Sequence, residues 1–150
     1  MINRQWIKDL QAKKLKVTPQ RIAMLDELKR NGHMDVDEVY EKIKGFYPSI
    51  SLATVYKNLG LLCEAGILRE VKAPSQKQKY ELSCDKHIHA SCERCGKLQD
   101  ITIDTSALEN AVSQKSGFML YDTSAVFIGI CPECLKQGAE EQRKQDFATA

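Results

Sequence analysis

The sequence has no apolar run long enough to cross a bilayer, and its first residues lack the apolar core of a signal peptide. These absences predict a cytoplasmic protein without a membrane partner, in which disulfides are not expected because the cytosol keeps thiols reduced. No internal repeat, nucleophile, separate catalytic base or cofactor loop is apparent, so no small-molecule substrate is expected. The 150 residues, 43% hydrophobic and 28% charged, predict one soluble globular domain or two small ones.

Charge is distributed unevenly along the chain. Residues 1–83 carry 15 lysines and arginines against 10 acidic residues, whereas residues 84–150 carry 7 against 10. A basic first half and an acidic second half predict a polyanion-binding module joined to a sensor or assembly module. Ordinary scatter of surface charge is the alternative. We therefore divide the chain into domains at 1–83 and 84–150.

The first half contains start signals for helices followed by a hairpin. The expected helices begin at residue 3 and, after the N-caps Thr18, Asp35 and Ser51, at residues 19, 36 and 52, and they end near residues 14, 31, 45 and 65. Strand-like segments at 67–72 and 79–82 flank Pro74 and Ser75, which predicts a hairpin of the kind called a wing. Helix-turn-helix geometry with a wing predicts a winged helix whose last helix enters the DNA major groove.

That last helix has one apolar and one polar face. Leu52, Val55, Leu59 and Leu62 are expected to face inward, and Tyr56 fits either the core or the surface. A helical interaction domain without DNA is the alternative. The candidate DNA-binding residues are Lys14, Arg21, Ser51, Ala53, Thr54, Tyr56, Lys57 and Asn58.

The second half of the chain is predicted to form strands and helices, and it contains most of the cysteines and histidines. A strand carries His87 and His89, and a second one covers 98–103. Asp104 is placed to cap a helix, which is expected to bury Leu108, Ala111 and Val112. Residues 118–131 predict one strand or two, and 135–147 a final exposed helix. The exposed edge of so small a sheet favours pairing with a second copy, and thus a homodimer.

Four cysteines form two Cys-x-x-Cys pairs, Cys92 with Cys95 and Cys131 with Cys134. Zn²⁺ binds four thiolates tetrahedrally, and such a closed site leaves no open position for chemistry. The pairs therefore predict a structural zinc that joins two segments of the chain. A redox dithiol fits either pair alone, but two distant pairs in a cytosolic chain favour metal.

A His-x-His pair precedes the first cysteine pair. His87 and His89 alternate on the predicted strand, and alternate residues of a strand point to one face. Both can therefore reach a second metal, held apart from the zinc. Two solvated strand histidines are the alternative.

Together these motifs resemble the ferric uptake regulator family of metal-dependent repressors, over nearly the whole chain. The matching segments are Thr18 to Arg21, Ser51 to Leu59, His87 to His89, Cys92 to Lys97 and the late pair Cys131 and Cys134. The resemblance implies an α+β fold, with an N-terminal winged helix followed by a small α/β dimerisation domain. It also implies a homodimer that binds a palindromic operator in double-stranded DNA.

The resemblance further implies a regulatory Fe²⁺ or Mn²⁺ between the domains. Its expected ligands are His33, Glu81, His87, His89 and Asp100. Imidazole and carboxylate donors suit these ions, whereas a soft ion would favour sulfur. A cation bound by both domains fixes their angle, so metal affinity becomes DNA affinity. Taken singly, His33, Glu81 and Asp100 also fit ordinary surface residues.

Smaller features indicate the branch of the family. Ile88 stands between the histidines and no histidine follows His89, so the extra metal site of the classical iron-uptake regulators is not expected. The amino-acid sequence of the segment from Val55 to Leu59, together with Asp100, resembles that of the peroxide-responsive repressors. In that branch Fe²⁺ reacts with peroxide and ligand histidines are oxidised.

One residue departs from the peroxide-responsive pattern. His33 and His87 are the expected oxidation sites, but Glu81 stands where peroxide sensors commonly have aspartate. A longer carboxylate can fill another coordination position and leave no place for peroxide. An iron-responsive repressor without peroxide chemistry is therefore the first alternative.

Three further interpretations stay open. A zinc uptake regulator would use Cys84 as an additional sulfur ligand, but we favour the interpretation of Cys84 as a linker residue and of Cys63 as a buried helix residue. A non-haem iron enzyme would use the same histidines and carboxylates but leaves the basic half unexplained. A zinc-ribbon interaction module predicts partner binding that salt does not weaken, in contrast to binding through DNA phosphates.

Overall fold

The structure is a computed structural model that describes residues 3–83 and 86–148. Within these ranges the chain forms two compact units, one of residues 3–72 and 77–83 and the other of residues 73–76 and 86–148. Cys84 and the centre of the predicted linker lie outside the described residues. None of the described helices has the length and apolar character needed to cross a membrane.

Capping side chains set where the four helices of the first unit begin. Asn3, Thr18, Asp35 and Ser51 each accept a hydrogen bond from a backbone N–H in the first turn. The helices are α1 (Arg4–Ala12), α2 (Pro19–Asn31), α3 (Val36–Phe46) and α4 (Leu52–Glu64). All four were expected, but Gly45 lies inside the last turn of α3 instead of ending it.

Three short strands complete this unit as an antiparallel sheet in the order β1-β3-β2. They are β1 (Met34–Asp35), β2 (Leu68–Val71) and β3 (Lys79–Leu82). The β2–β3 hairpin is the expected wing. Strand β1 was not predicted, because two residues carry no period that a sequence pattern can reveal.

The first unit has a hydrophobic core to which its helices and sheet all contribute. Leu10, Leu25, Ile43 and Leu59 are fully buried there. Helix α1 packs on this core, and Trp6 donates its indole N–H to Asp26 Oδ1 at 2.7 Å.

One residue of α4 that was predicted to face inward does not do so. Leu52 is 43% exposed, although Val55, Leu59 and Leu62 on the same face are buried. Leu52 is the first residue of α4, and the first residue of this helix that is buried in the core is Val55.

The second unit is a three-stranded sheet with two helices. In chain order its elements are β4 (Ile88–Cys92), β5 (Leu98–Ile101), α5 (Ser106–Ser116), β6 (Val126–Gly129) and α6 (Pro132–Ala148). The sheet order is β5-β4-β6, with β4 antiparallel to β5 and parallel to β6. His89 pairs with Asp100 across β4 and β5, which brings two expected metal ligands side by side.

Several predictions for this unit need correction. Helix α5 buries none of its residues: Leu108 is 58% and Val112 44% exposed. Its N-cap is Thr105, while Asp104 accepts hydrogen bonds from the N–H and hydroxyl of Ser106. The run 118–131 yields only the strand β6, and α6 begins three residues earlier than expected, at Pro132.

The described part of the second unit has little hydrophobic core. Its buried apolar or thiol side chains are Ile88, Cys92 and Cys134. A unit of this size that buries so little apolar surface needs a metal, a disulfide or a partner subunit for stability.

Candidate metal centres and nucleic-acid interface

The two cysteine pairs meet in one cluster. β4 ends at Cys92, the following turn carries Cys95, and Cys131 and Cys134 lie at the start of α6. The four Sγ atoms lie within 4.8 Å of one another, and those of Cys95 and Cys131 are 3.7 Å apart. Thiolates bound tetrahedrally to Zn²⁺ at about 2.3 Å are separated by about 3.8 Å, so the cluster fits this ion.

Contacts around the cluster shift the pKa values of two of its thiols in opposite directions. Hydrogen bonds from the backbone, first from the N–H of Cys131, lower the pKa of Cys92 to about 6. Hydrogen bonding with the side chain of Cys131, followed by burial and by the other cysteines, raises the pKa of Cys134 to about 12. A bound cation would compensate the negative charge of thiolates, so metal binding and deprotonation are coupled at such a cluster.

Three nitrogen and oxygen donors converge in the second unit. His87 Nε2 and His89 Nε2 are 3.1 Å apart, and Asp100 Oδ1 lies 3.6 Å and 3.4 Å from them. His89 is 1% exposed. Donors bound about 2.1 Å from one ion at right angles are separated by about 3 Å, so the spacing of these three groups is compatible with the facial set of two histidines and a carboxylate typical of non-haem Fe²⁺.

Two further expected ligands lie together in the first unit. His33 follows α2, and its Nε2 is 3.9 Å from Oε2 of Glu81 on β3. Glu81 is only 3% exposed. A buried carboxylate needs compensating charge or hydrogen bonds, and this one is not an ordinary surface charge.

The sequence interpretation missed Arg69. It lies directly opposite Glu81 in the β2–β3 ladder, with its Nε 3.6 Å from Glu81 Oε1. A two-residue turn at Pro74 and Ser75 would have paired Glu81 with Leu68 instead, so the sequence alone did not fix the register that brings Arg69 and Glu81 together.

Helix α4 presents its polar face to solvent. Val55 and Leu59 are buried, while Tyr56 is 62% exposed and so does not belong to the core. Asn58 is half-buried. The other candidate DNA-binding residues of this segment are exposed, namely Ser51, Ala53, Thr54 and Lys57.

Arg21 is already engaged by the protein. Its Nε donates to Asn58 Oδ1 at 2.9 Å, and its Nη1 donates to the carbonyl of Lys16 at 2.6 Å. It therefore ties α2 to α4, which suits a residue that orients the helix. Lys14 is exposed just after α1, in a left-handed conformation with φ of 57°.

The winged-helix unit, the four-thiol cluster and the clustered histidines define a metal-binding winged-helix protein. The model of the ferric uptake regulator family matches residues 12–127. This chain belongs to that family.

Individual relatives are similar over most of their length. The peroxide operon regulator of Bacillus subtilis is 31% identical over 125 residues, which are 82% of this chain and 86% of the relative. The crystal structure of the Campylobacter jejuni peroxide stress regulator is 35% identical, covers 87% of this chain and 97% of its own, and has a TM-score of 0.70. The ferric uptake regulator from Francisella tularensis with iron is 28% identical, with 80% and 94% coverage and a TM-score of 0.66.

Proposed function

We propose that this protein is a cytoplasmic, metal-dependent transcriptional repressor that senses peroxide. The observation that carries the proposal is the donor set of His87, His89 and Asp100, with separations of 3.1–3.6 Å. This set is typical of iron sites that can react with oxygen species. Relatives named as peroxide regulators support the same branch.

Residues 1–83 are the proposed DNA-binding domain and residues 84–150 the proposed dimerisation domain. Helix α4 would enter the major groove through its exposed face around Thr54, Tyr56 and Lys57. Arg21 would hold Asn58 and so orient that helix. Because phosphate contacts release counterions, operator binding would weaken steeply as salt rises.

The four cysteines are the proposed site of a structural Zn²⁺. Sulfur donors at these separations would hold the ion with no open position. The ion would join the end of β4 to the start of α6 and stabilise a unit whose described residues bury few apolar side chains.

The regulatory Fe²⁺ or Mn²⁺ is proposed to take all five nitrogen and oxygen ligands. His33 and Glu81 would come from the DNA-binding domain, and His87, His89 and Asp100 from the other. Their chemistry supports this choice, because none of the donors is sulfur. An ion bound by both domains would favour one domain arrangement, and it would strengthen DNA binding as far as that arrangement fits the operator.

Peroxide would end the metal-bound, DNA-binding state by oxidising a ligand histidine. A ring C–H of His33 or His87 would become C–O with one oxygen atom of hydrogen peroxide, and the other oxygen would leave as water. Two electrons thus pass from the imidazole to the peroxide, and bound Fe²⁺ supplies the reactivity. The oxidised ring is a poorer ligand, so metal and DNA would both be released.

Peptide mass spectrometry of the Fe²⁺ protein after brief exposure to peroxide tests this proposal. One added oxygen atom is expected on His33 or His87, together with loss of operator binding. The Mn²⁺ protein is the control and should show neither change. Unmodified histidines with intact DNA binding would contradict peroxide sensing.

The same experiment addresses the strongest rival. Glu81 in place of aspartate favours an iron-responsive repressor without peroxide chemistry, which would respond to Fe²⁺ removal alone. Non-haem iron turnover of a small organic substrate, with no retention of duplex DNA, would instead support an enzyme.

The exposed apolar surface of the second unit supports a homodimer. Strand β6 exposes Phe127 by 58% and Ile128 by 53%, and α5 exposes Leu108. Apolar surface of this kind, in a unit whose described residues bury few apolar side chains, is typical of a subunit interface.

Sedimentation of the zinc-loaded protein tests this dimer. Phe127→Glu is expected to weaken dimerisation at least about 100-fold, because it buries a charge at the interface. Phe46→Glu is the matched control, since Phe46 is 62% exposed in the first unit. A wild-type monomer, or equal weakening by both variants, would contradict this interface.

A further inference from the structure

The carboxylate of Glu81 has its two oxygen atoms near different partners within the first unit. Oε2 lies 3.9 Å from His33 Nε2, while Oε1 lies 3.6 Å from Arg69 Nε. Arg69 and Glu81 are direct partners in the β2–β3 register, which places the two residues side by side. The side chains of Arg69 and Glu81 are only 11% and 3% exposed, so solvent screens this ion pair weakly.

Because the two carboxylate oxygens of Glu81 lie near different partners, the ways in which Glu81 can bind a cation beside His33 are restricted. Oε2 is already at a distance that one ion can bridge, since two donors at about 2.1 Å from an ion are separated by up to about 4.2 Å. Chelation through both oxygens would draw Oε1 away from the guanidinium. Separating a buried charge pair leaves an uncompensated charge, which is strongly unfavourable.

We propose that Arg69 is a positioning residue that makes Glu81 a one-oxygen metal ligand. The inference rests on the proposed function, because it assumes that Glu81 binds the regulatory ion. With one oxygen from Glu81, the five ligand residues supply five donor atoms. A six-coordinate ion then keeps one position without a protein ligand, where peroxide has access.

This role of Arg69 would explain how a peroxide sensor can carry glutamate at position 81, where such sensors commonly have aspartate. A glutamate free to chelate would supply a sixth donor and close the site to peroxide. Arg69 forms an ion pair with the second oxygen, so the longer side chain is expected to bind through one oxygen, as a shorter carboxylate would. The expected consequence is a peroxide-accessible site in a chain that carries glutamate at this position.

The test compares Arg69→Met with Arg30→Met in otherwise intact, zinc-loaded protein. Arg30 is the matched control because its Nη1 contacts Oε1 of Glu27, another buried glutamate of the first unit, at 2.9 Å. Arg69→Gln is the second variant if Arg69→Met does not fold. The first readout is water-proton relaxation of the Mn²⁺-loaded protein, which reports water exchanging at an open coordination position.

Wild type and Arg30→Met are expected to show this relaxation enhancement, and Arg69→Met is expected to lose it while Mn²⁺ stays bound. The second readout is the rate of His33 and His87 oxidation in the Fe²⁺ protein, expected to fall at least about tenfold in Arg69→Met alone. Enhancement equal to wild type in the Arg69 variants would overturn the proposal. Absence of histidine oxidation in wild type would instead refute peroxide sensing, and the relaxation comparison would still decide the role of Arg69.

Discussion

Cys95→Ser is expected to abolish zinc binding and to lower the melting temperature of the second unit. Structural zinc contributes about 10–16 kcal/mol of apparent binding free energy in small zinc-dependent domains. The described residues of this unit bury few apolar side chains that could compensate. Losing even about 5 kcal/mol would lower the melting temperature by about 20–40 °C. Zinc content by mass spectrometry and calorimetric melting measure the two effects.

Cys63→Ser is the matched control for this loss. Cys63 is half-buried in the first unit, and burial raises the pKa of its thiol to about 11. It lies outside the four-thiol cluster, so its variant should keep one zinc per chain and the melting of the second unit. If Cys95→Ser melted like wild type, the cluster would not be the structural centre of this unit.

Asp100→Asn is expected to remove most of the metal dependence of operator binding. The amide keeps the size of the side chain but lacks the negative charge that, with His87 and His89, compensates a divalent cation. Coupling between two binding sites is typically 5- to 150-fold, so the loss should be on the order of 10- to 100-fold in operator affinity at fixed Mn²⁺. Fluorescence anisotropy with a labelled operator measures it.

Asp104→Asn separates this effect from a general loss of charge. Asp104 lies in the same unit, accepts hydrogen bonds from Ser106 and belongs to neither cluster of candidate metal ligands. Its variant should bind Mn²⁺ and operator as wild type does. Equal loss in both variants would show that Asp100 acts through net charge and does not bind the ion.

The winged helix could be predicted from the sequence because the capping residues and the apolar pattern of its helices agree with the burial seen in the structure. The caps Thr18, Asp35 and Ser51 mark where helices begin, and the apolar stripes of these helices meet in one core. The four-thiol cluster could also be predicted, because the spacing of the two cysteine pairs is specific to metal binding.

The second unit was harder to read because its apolar residues are not buried within the chain. Helix α5 carries Leu108 and Val112 at helical spacing, yet both are exposed. A periodic stripe predicts a buried face without saying whether the same chain or another subunit covers it. Arg69 was missed for a different reason: its meaning depends on the strand register that places it opposite Glu81.

Operator binding by one zinc-loaded preparation, measured before and after removal of the exchangeable metal, tests the central claim most directly. A mild chelator should remove one Fe²⁺ or Mn²⁺ per chain and leave the zinc. The account predicts that operator affinity then falls by about 10- to 100-fold and returns when Mn²⁺ is added. Undiminished operator affinity in the stripped, zinc-containing protein would contradict it.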